Sequence, residues 1–385
     1  MGIPRRLFLL VGFTPTVRAA IHNLFVGNLY TPASIHALEF NDETEELKLV
    51  RTQPTDSSHA WIAFDHAKKN IYAASLNEAR IASYRVANPT TLELTKSIPA
   101  TGACLNKTSA FIEGMSSEPY YAFSASWPAP DACGMAFSVD SNGGLASVVD
   151  SWAYANESGV HGLALTRRNG KQLIYSADTS ADLVWIHQVV RSNGSVSEVG
   201  RFPMPYGGMN PRHLIVHPGG KYLYAVMEAD NSITQFDLDV ETGLIMQDSL
   251  RVMLIPIGTQ ADTTLYWSAD VQLSLSGRYL WATARGRNAT ETGFISVYLL
   301  GDDGRILRRM LRVPTTGGGG TNHISPAFWS DEYAAMTDFG QGYVQIFKLD
   351  GPRDSRDGTE YTTARPVAKV DIADGGCCAN AIWYS

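Results

Sequence analysis

The chain of 385 residues carries 31 Lys and Arg against 38 Asp and Glu, a formal charge of −7, with 44% hydrophobic and 18% charged residues. This acidic balance excludes a nucleic-acid partner, which needs a basic face, and no apolar run of about 18 residues is available to span a membrane as a helix. With 34 Gly, 18 Pro and 10% aromatic residues, many short strands and tight turns are expected in place of helices, and one all-β domain of this length is allowed.

At the N-terminus Met1–Arg6 is short and basic, Leu7–Phe13 is apolar, and Val17-Arg18-Ala19 places small residues at the two positions that determine cleavage. That order predicts a secretory signal peptide over residues 1–19, the alternative being a buried first strand. Its removal takes away Arg5, Arg6 and Arg18 and no acid, which moves the charge from −7 to −10. Glycosylation sequons at Asn106, Asn156, Asn193 and Asn288 suit the same secretory route or secretion. So do four cysteines: Cys104 and Cys133 can pair, and Cys377 and Cys378 are adjacent, but connectivity is not readable from spacing.

From residue 20 onward one pattern recurs: an apolar strand, a turn, then a strand written polar, apolar, apolar, aromatic, clearest in Lys221-Tyr222-Leu223-Tyr224. The anchor position falls at Phe25, Tyr72, Tyr121, Tyr175, Tyr224, Trp281 and Ala335, separated by 47 to 57 residues. Seven modules of about 50 residues are therefore expected. Alternating stretches such as Ser232–Phe236 and Gly293–Tyr298, with turn dipeptides Asn142-Gly143, Asn169-Gly170 and Asp303-Gly304, put four short antiparallel strands in each module. Residues 20–385 thus predict a single seven-bladed β-propeller, the segment Ala381–Tyr384 pairing with the first strand to close the ring and remove an exposed edge. A solenoid or two stacked sandwiches is the alternative.

In a propeller the starts of the innermost strands converge on one mouth of the central channel. About twelve residues before the anchors stand His59, His161, Arg212, Asp270 and His323, and three or four after them Asp178, Glu228, Arg285 and Asp338. These nine titratable groups define either a ligand cavity or a set of inter-blade ion pairs. Nucleophile-elbow, zinc-protease, phosphate-loop and dinucleotide motifs are all missing. No two candidate ligands have metal-binding spacing, so neither cofactor nor metal is expected. Gly317–Gly320, followed by Thr321-Asn322-His323, is expected to form a flexible loop at the mouth.

Over residues 22–385 the chain resembles the fungal 3-carboxy-cis,cis-muconate cyclases, propellers related to the 6-phosphogluconolactonase-type lactonases. The resemblance is carried by Trp61–Tyr72, Gly159-Val160-His161-Gly162, Pro211-Arg212 through His217-Pro218 to Tyr222–Ala229, the Arg285 segment and Asn380–Tyr384. It implies catalytic roles for His161, Arg212, Glu228 and Arg285, with the arginines gripping carboxylates and Glu228 or His161 acting as acid. His59, Asp178 and His323 are expected to bind substrate. The secretory features depart from an intracellular catabolic cyclase and are similar to the glycosylated hetero-Diels-Alderases of tropolone-sesquiterpene biosynthesis in the same group.

Three functions follow as expectations. The first is a cofactor-independent cyclase of fungal secondary metabolism that joins a tropolone-type heterodiene to a terpene polyene. The second is a lactonising carboxymuconate cycloisomerase. The third is a secreted, non-enzymatic propeller that binds a ligand. The first requires a small hydrophobic or polyene substrate, a dry pocket and one hydrogen-bond donor at the heterodiene oxygen.

Overall fold

A computed structural model describes residues 20–256, 263–315, 323–351 and 361–385. The expected signal peptide and the stretch 317–322 lie outside the described residues. Within them, 28 strands form seven four-stranded antiparallel sheets, the seven-bladed propeller read from the repeat. The hairpin glycines explain the short connections: Gly143, Gly170 and Gly304 all hold positive φ, which a glycine adopts without the clash a Cβ would cause.

The innermost strands are Cys377–Trp383, Trp61–Phe64, Phe111–Gly114, Val160–Arg168, Pro211–Val216, Tyr266–Leu273 and Ile324–Pro326. Each touches the next around a closed ring. The last strand of the chain pairs with the first, Leu24 opposite Trp383, Phe25 opposite Ile382 and Val26 opposite Ala381, so neither sequence end leaves an open inner edge. The seam is tied further by the Asn380 side chain, which bonds both the N–H and the carbonyl of Ile62 in the next blade at 2.8 Å.

All seven anchors lie in the second strand of their blade. The rings of the six aromatic anchors fill the seams between blades, where Tyr72, Tyr175, Tyr224 and Trp281 are at most 1% exposed. The tyrosine hydroxyls then reach across: Tyr72 donates to the Gly143 carbonyl, Tyr121 to Arg191, Tyr175 to Gly243 and Tyr224 to Gly304. Each acceptor sits in an outer hairpin of the following blade. The repeated aromatic therefore supplies buried area and satisfies a turn carbonyl at once.

Disulfides join Cys104 to Cys133 and Cys377 to Cys378. The first pins the short 3-10 turn Gly102–Cys104 to the third blade. All four sequon asparagines are exposed.

Candidate active site

Strand register shows which residues face the axis. Phe25, Tyr72, Tyr175, Tyr224, Trp281 and Ala335 pair with Ile382, Ala63, Ala164, Ile215, Gln272 and Ser325. In the third blade Phe123, two residues beyond Tyr121, takes this place opposite Glu113. Counting back two from each partner gives Asn380, Trp61, Phe111, Gly162, His213, Asp270 and His323. These side chains plug the channel. Trp61 stacks on Phe111 at 4.3 Å and on His323 at 4.7 Å, and meets His213 edge-on at 4.8 Å.

Counting back three in the first five blades gives Ala379, Ala60, Ala110, His161 and Arg212, which line a cavity of about 220 Å³ above the plug, while Ala269 in the sixth does not. Neighbouring residues in a strand ordinarily point to opposite faces. Here β-bulges between Val160 and Gly162 and between Pro211 and His213 leave His161 and Arg212 unpaired and turn them toward the same space as the residues that follow.

The other wall comes from the fourth residue after the second-strand anchor in five blades, Leu29, Leu76, Glu228, Arg285 and Phe339, and from Trp127, four beyond Phe123 in the third; in the fourth blade Thr179 holds this place and does not line the cavity. Tyr30 and Trp267 complete it. The cavity is two-sided. Blades one, two, three and seven contribute mainly alanine, leucine and aromatic side chains, with Asn380 and His323 among them, whereas blades four to six contribute His161, Arg212, His213, Glu228 and Arg285 together with Trp267.

On the polar side Glu228 Oε2 serves both guanidinium groups. It lies 2.8 Å from Arg212 Nε, an ion pair whose N–H direction is off-line for a hydrogen bond, and accepts from Arg285 Nη2 at 3.1 Å. Arg212 Nη1 donates to the Ala269 carbonyl at 2.5 Å. Arg285 packs on the Trp267 ring at 4.2 Å, a cation–π contact strengthened by exclusion of water. Burial, together with repulsion from Arg212, pushes the Arg285 guanidinium down to about 9 despite the attraction of Glu228. Burial likewise lowers Arg212, against the pull of Glu228 and Asp270.

Behind this layer Asp270 accepts from His213 Nδ1 at 2.9 Å and from His323 Nδ1 at 2.7 Å. Burial alone would raise its carboxyl, but the charge and hydrogen bonds of His323 and His213 hold it well below the usual range. Burial and Arg212 push His213 down to about 4. His161 is held well below its ordinary value by burial and by Arg212, His213 and Arg285.

The structure therefore brings His161, Arg212, Glu228, Arg285 and His323 to one cavity. It does not bring His59 or Asp178 there, which corrects their expected substrate contact. His59 stands two residues ahead of Trp61 and turns back into the blade, where its Nε2 meets the Tyr84 hydroxyl at 2.7 Å. Asp178 is the third residue after its anchor, one pleat short of the lining position. Its carboxylate is occupied by the N–H groups of Gly159, Ser180 and Ala181 and the indole of Trp185. Asp338 has the same offset and caps the Gln341 N–H.

His213, Trp61, Trp127 and Trp267 were not among the expected site residues. A constant offset of four after the anchor, in place of three or four, selects Leu29, Leu76 and Phe339 from the sequence. The bulge that admits His213 beside Arg212 has no comparable signal. No group of three or more His, Cys, Asp or Glu side chains suited to a metal occurs among the described residues, and no helix among them is long and apolar enough to cross a membrane.

Residues 23–322 match the family described as lactonase, 7-bladed beta-propeller. The chain is 32% identical over 378 residues to the carboxy-cis,cis-muconate cyclase of Neurospora crassa, covering 94% of this chain and 99% of that one. It is 23% identical to muconate cycloisomerase 1 of Cutaneotrichosporon cutaneum over 84% of this chain and 90% of the other. A periplasmic gluconolactonase structure from Pseudomonas aeruginosa superposes with a TM-score of 0.73 at 19% identity, covering 95% of this chain and 99% of that one, a likeness of fold. With its ring of seven blades, its axial cavity and this match over most of its length, the chain belongs to the seven-bladed β-propeller lactonase family that includes the fungal carboxymuconate cyclase.

Proposed function

We propose that this propeller is a cofactor-independent cyclase whose substrate pairs one electron-rich oxygen with an extended apolar body, as in a hetero-Diels-Alder reaction between a tropolone-type o-quinone methide and a terpene polyene. The observation that carries the reading is the division of the cavity. Two arginines and one glutamate leave a net charge of about plus one on the polar side, facing a wall of Leu29, Leu76, Trp127, Phe339 and three alanines. One developing oxyanion matches that charge. A tricarboxylate would bring three negative charges into a space half of which is hydrocarbon, where unpaired charge is costly.

In this mechanism the apolar wall holds diene and dienophile within bonding distance, so that part of the barrier is met by lost translational freedom. An arginine N–H donates to the heterodiene oxygen as charge accumulates there. One C–O and one C–C bond form in the same event, no atom leaves, and no nucleophile is required. Glu228 orients the guanidinium groups and transfers no proton.

The runner-up, lactonising cyclisation of 3-carboxy-cis,cis-muconate, is favoured by the 32% identity to the Neurospora crassa cyclase. Parallel assays separate the two. Incubation with an o-quinone methide generated in situ and a terpene polyene should give a single stereoisomer above the spontaneous background. Turnover of 3-carboxymuconate at an ordinary enzymic rate, with no enzyme-dependent cycloadduct, would overturn the proposal, and inertness toward both would favour a ligand-binding protein.

A further inference from the structure

We infer that Asp270 is a positioning residue that fixes the proton arrangement of His161 through His213, so that His161 presents an unprotonated Nε2 to the cavity as a hydrogen-bond acceptor. The chain of contacts spans three blades. Asp270 Oδ1 takes the proton of His213 Nδ1 at 2.9 Å, which leaves His213 Nε2 with a lone pair in a neutral ring. That lone pair lies 3.2 Å from His161 Nδ1 and 3.4 Å from Arg212 Nη1. Two ring nitrogens cannot face each other as two lone pairs at such a distance, so the proton between them sits on His161 Nδ1. His161 Nε2 is then the acceptor, and no described residue occupies it.

The groups around His161 favour the same state. Arg212 and Arg285 carry positive charge beside it, and Trp127 packs against its ring at 5.3 Å. Burial and the two guanidinium charges disfavour an imidazolium. Asp270 itself is held as a carboxylate by a second donor, His323 Nδ1, and by the Ile324 N–H at 3.1 Å, so it is committed as an acceptor on both oxygens. The functional consequence rests on the cavity being the reaction site. His161 Nε2 would accept a hydrogen bond from a substrate hydroxyl, beside guanidinium groups that donate to the neighbouring reacting oxygen. The substrate class narrows accordingly to one bearing an enol or phenol hydroxyl next to the reacting oxygen.

The arrangement is readable without any substrate, which separates this inference from the proposed reaction. The full chain labelled with 15N-histidine gives a two-bond 15N–1H correlation spectrum in which the two neutral tautomers and the imidazolium differ. The His161 signals, out of nine histidines, are those lost in His161→Gln. The expected result is a neutral, Nδ1-protonated His161 throughout about pH 5 to 8. A neutral Nε2-protonated ring, or an imidazolium in that range, overturns the inference. In Asp270→Asn the carboxamide offers one acceptor and one donor, so the single-tautomer patterns of His213 and His161 should be lost. An unchanged pattern in folded Asp270→Asn would overturn the anchoring role. Should that variant not fold, the wild-type spectrum still decides, since it alone reports which nitrogen carries the proton.

Discussion

A methyl group on Gly162 would sit 2.6 Å from the carbonyl oxygen of Arg212 in the neighbouring blade. Every other position of the axial plug is filled by a larger residue, and here the inner strand of one blade lies directly against the backbone of the next. The gap left by the missing side chain is where His213 enters, its Cδ2 lying 2.7 Å from the same added methyl.

Gly162→Ala should therefore displace Arg212 and His213 together. The expected cost is about 1–3 kcal/mol, the range for forcing an extra carbon into packed space. Chemical denaturation measures it, and stability equal to wild type would show that the two inner strands slide apart freely.

Glu228→Gln keeps the shape of the side chain and removes the one carboxylate shared by Arg212 and Arg285. Breaking a buried ion pair costs about 3–5 kcal/mol. Because 22% of the Glu228 side chain is accessible, the lower end is expected. The same variant raises the net positive charge of the cavity, so an anionic probe such as benzoate should bind it more tightly than wild type. Weaker binding by isothermal calorimetry would refute the charge count.

Arg285→Ala removes a donor from the polar wall and should lower the enzymic rate by about 10²–10³-fold, as for loss of an oxyanion-hole donor. Arg285→Lys retains the charge but loses the planar fork and its stacking on Trp267, so it should recover only part of the rate. Steady-state kinetics with either candidate substrate tests this, and full activity in Arg285→Ala would make the residue structural.

Acid should destabilise the protein in two stages. The unfolded histidine titrates near pH 6.5 and folded His213 at about 4. Between these values the unfolded chain binds a proton that the native state refuses, so stability is full above about pH 6.5 and falls as pH drops. His213 alone contributes on the order of 3 kcal/mol, and His161 acts in the same direction. Below about pH 4 the depressed Asp270 carboxyl adds a second loss, since its unfolded form takes up protons first. Denaturant midpoints between pH 7.5 and 4.5, at roughly half-unit steps, check the first stage. A flat profile would contradict it.

We propose that the chain passes through the secretory pathway, starts near Ala20 and carries N-glycans on at least two of Asn106, Asn156, Asn193 and Asn288, all exposed. Intact mass before and after glycosidase treatment measures both features. An unshifted mass with Met1 or Gly2 retained would refute the route.

The sevenfold repeat, ring closure by the terminal strands and the four principal cavity groups His161, Arg212, Glu228 and Arg285 were all legible in the linear chain. An anchor recurring about every 50 residues, aromatic in six blades, places the same strand at a similar depth, so a fixed offset from it reaches the cavity in most blades, the third being shifted by two residues. Alternation along a strand makes that offset sensitive to a single residue. His59 and Asp178 stand one or two places from lining positions, and the pleat turns both into the blades. The bulges at His161 and Arg212 override the alternation, a shift set by pairing with strands that the local sequence does not specify. The partition of the cavity, with alanines from three blades facing His161 and the charged groups of the two blades after it, likewise emerges only when residues over 300 positions apart close around one axis. Tertiary structure alone joins Asp270, His213 and His161, since the proton on His161 depends on hydrogen bonds made across two blade boundaries.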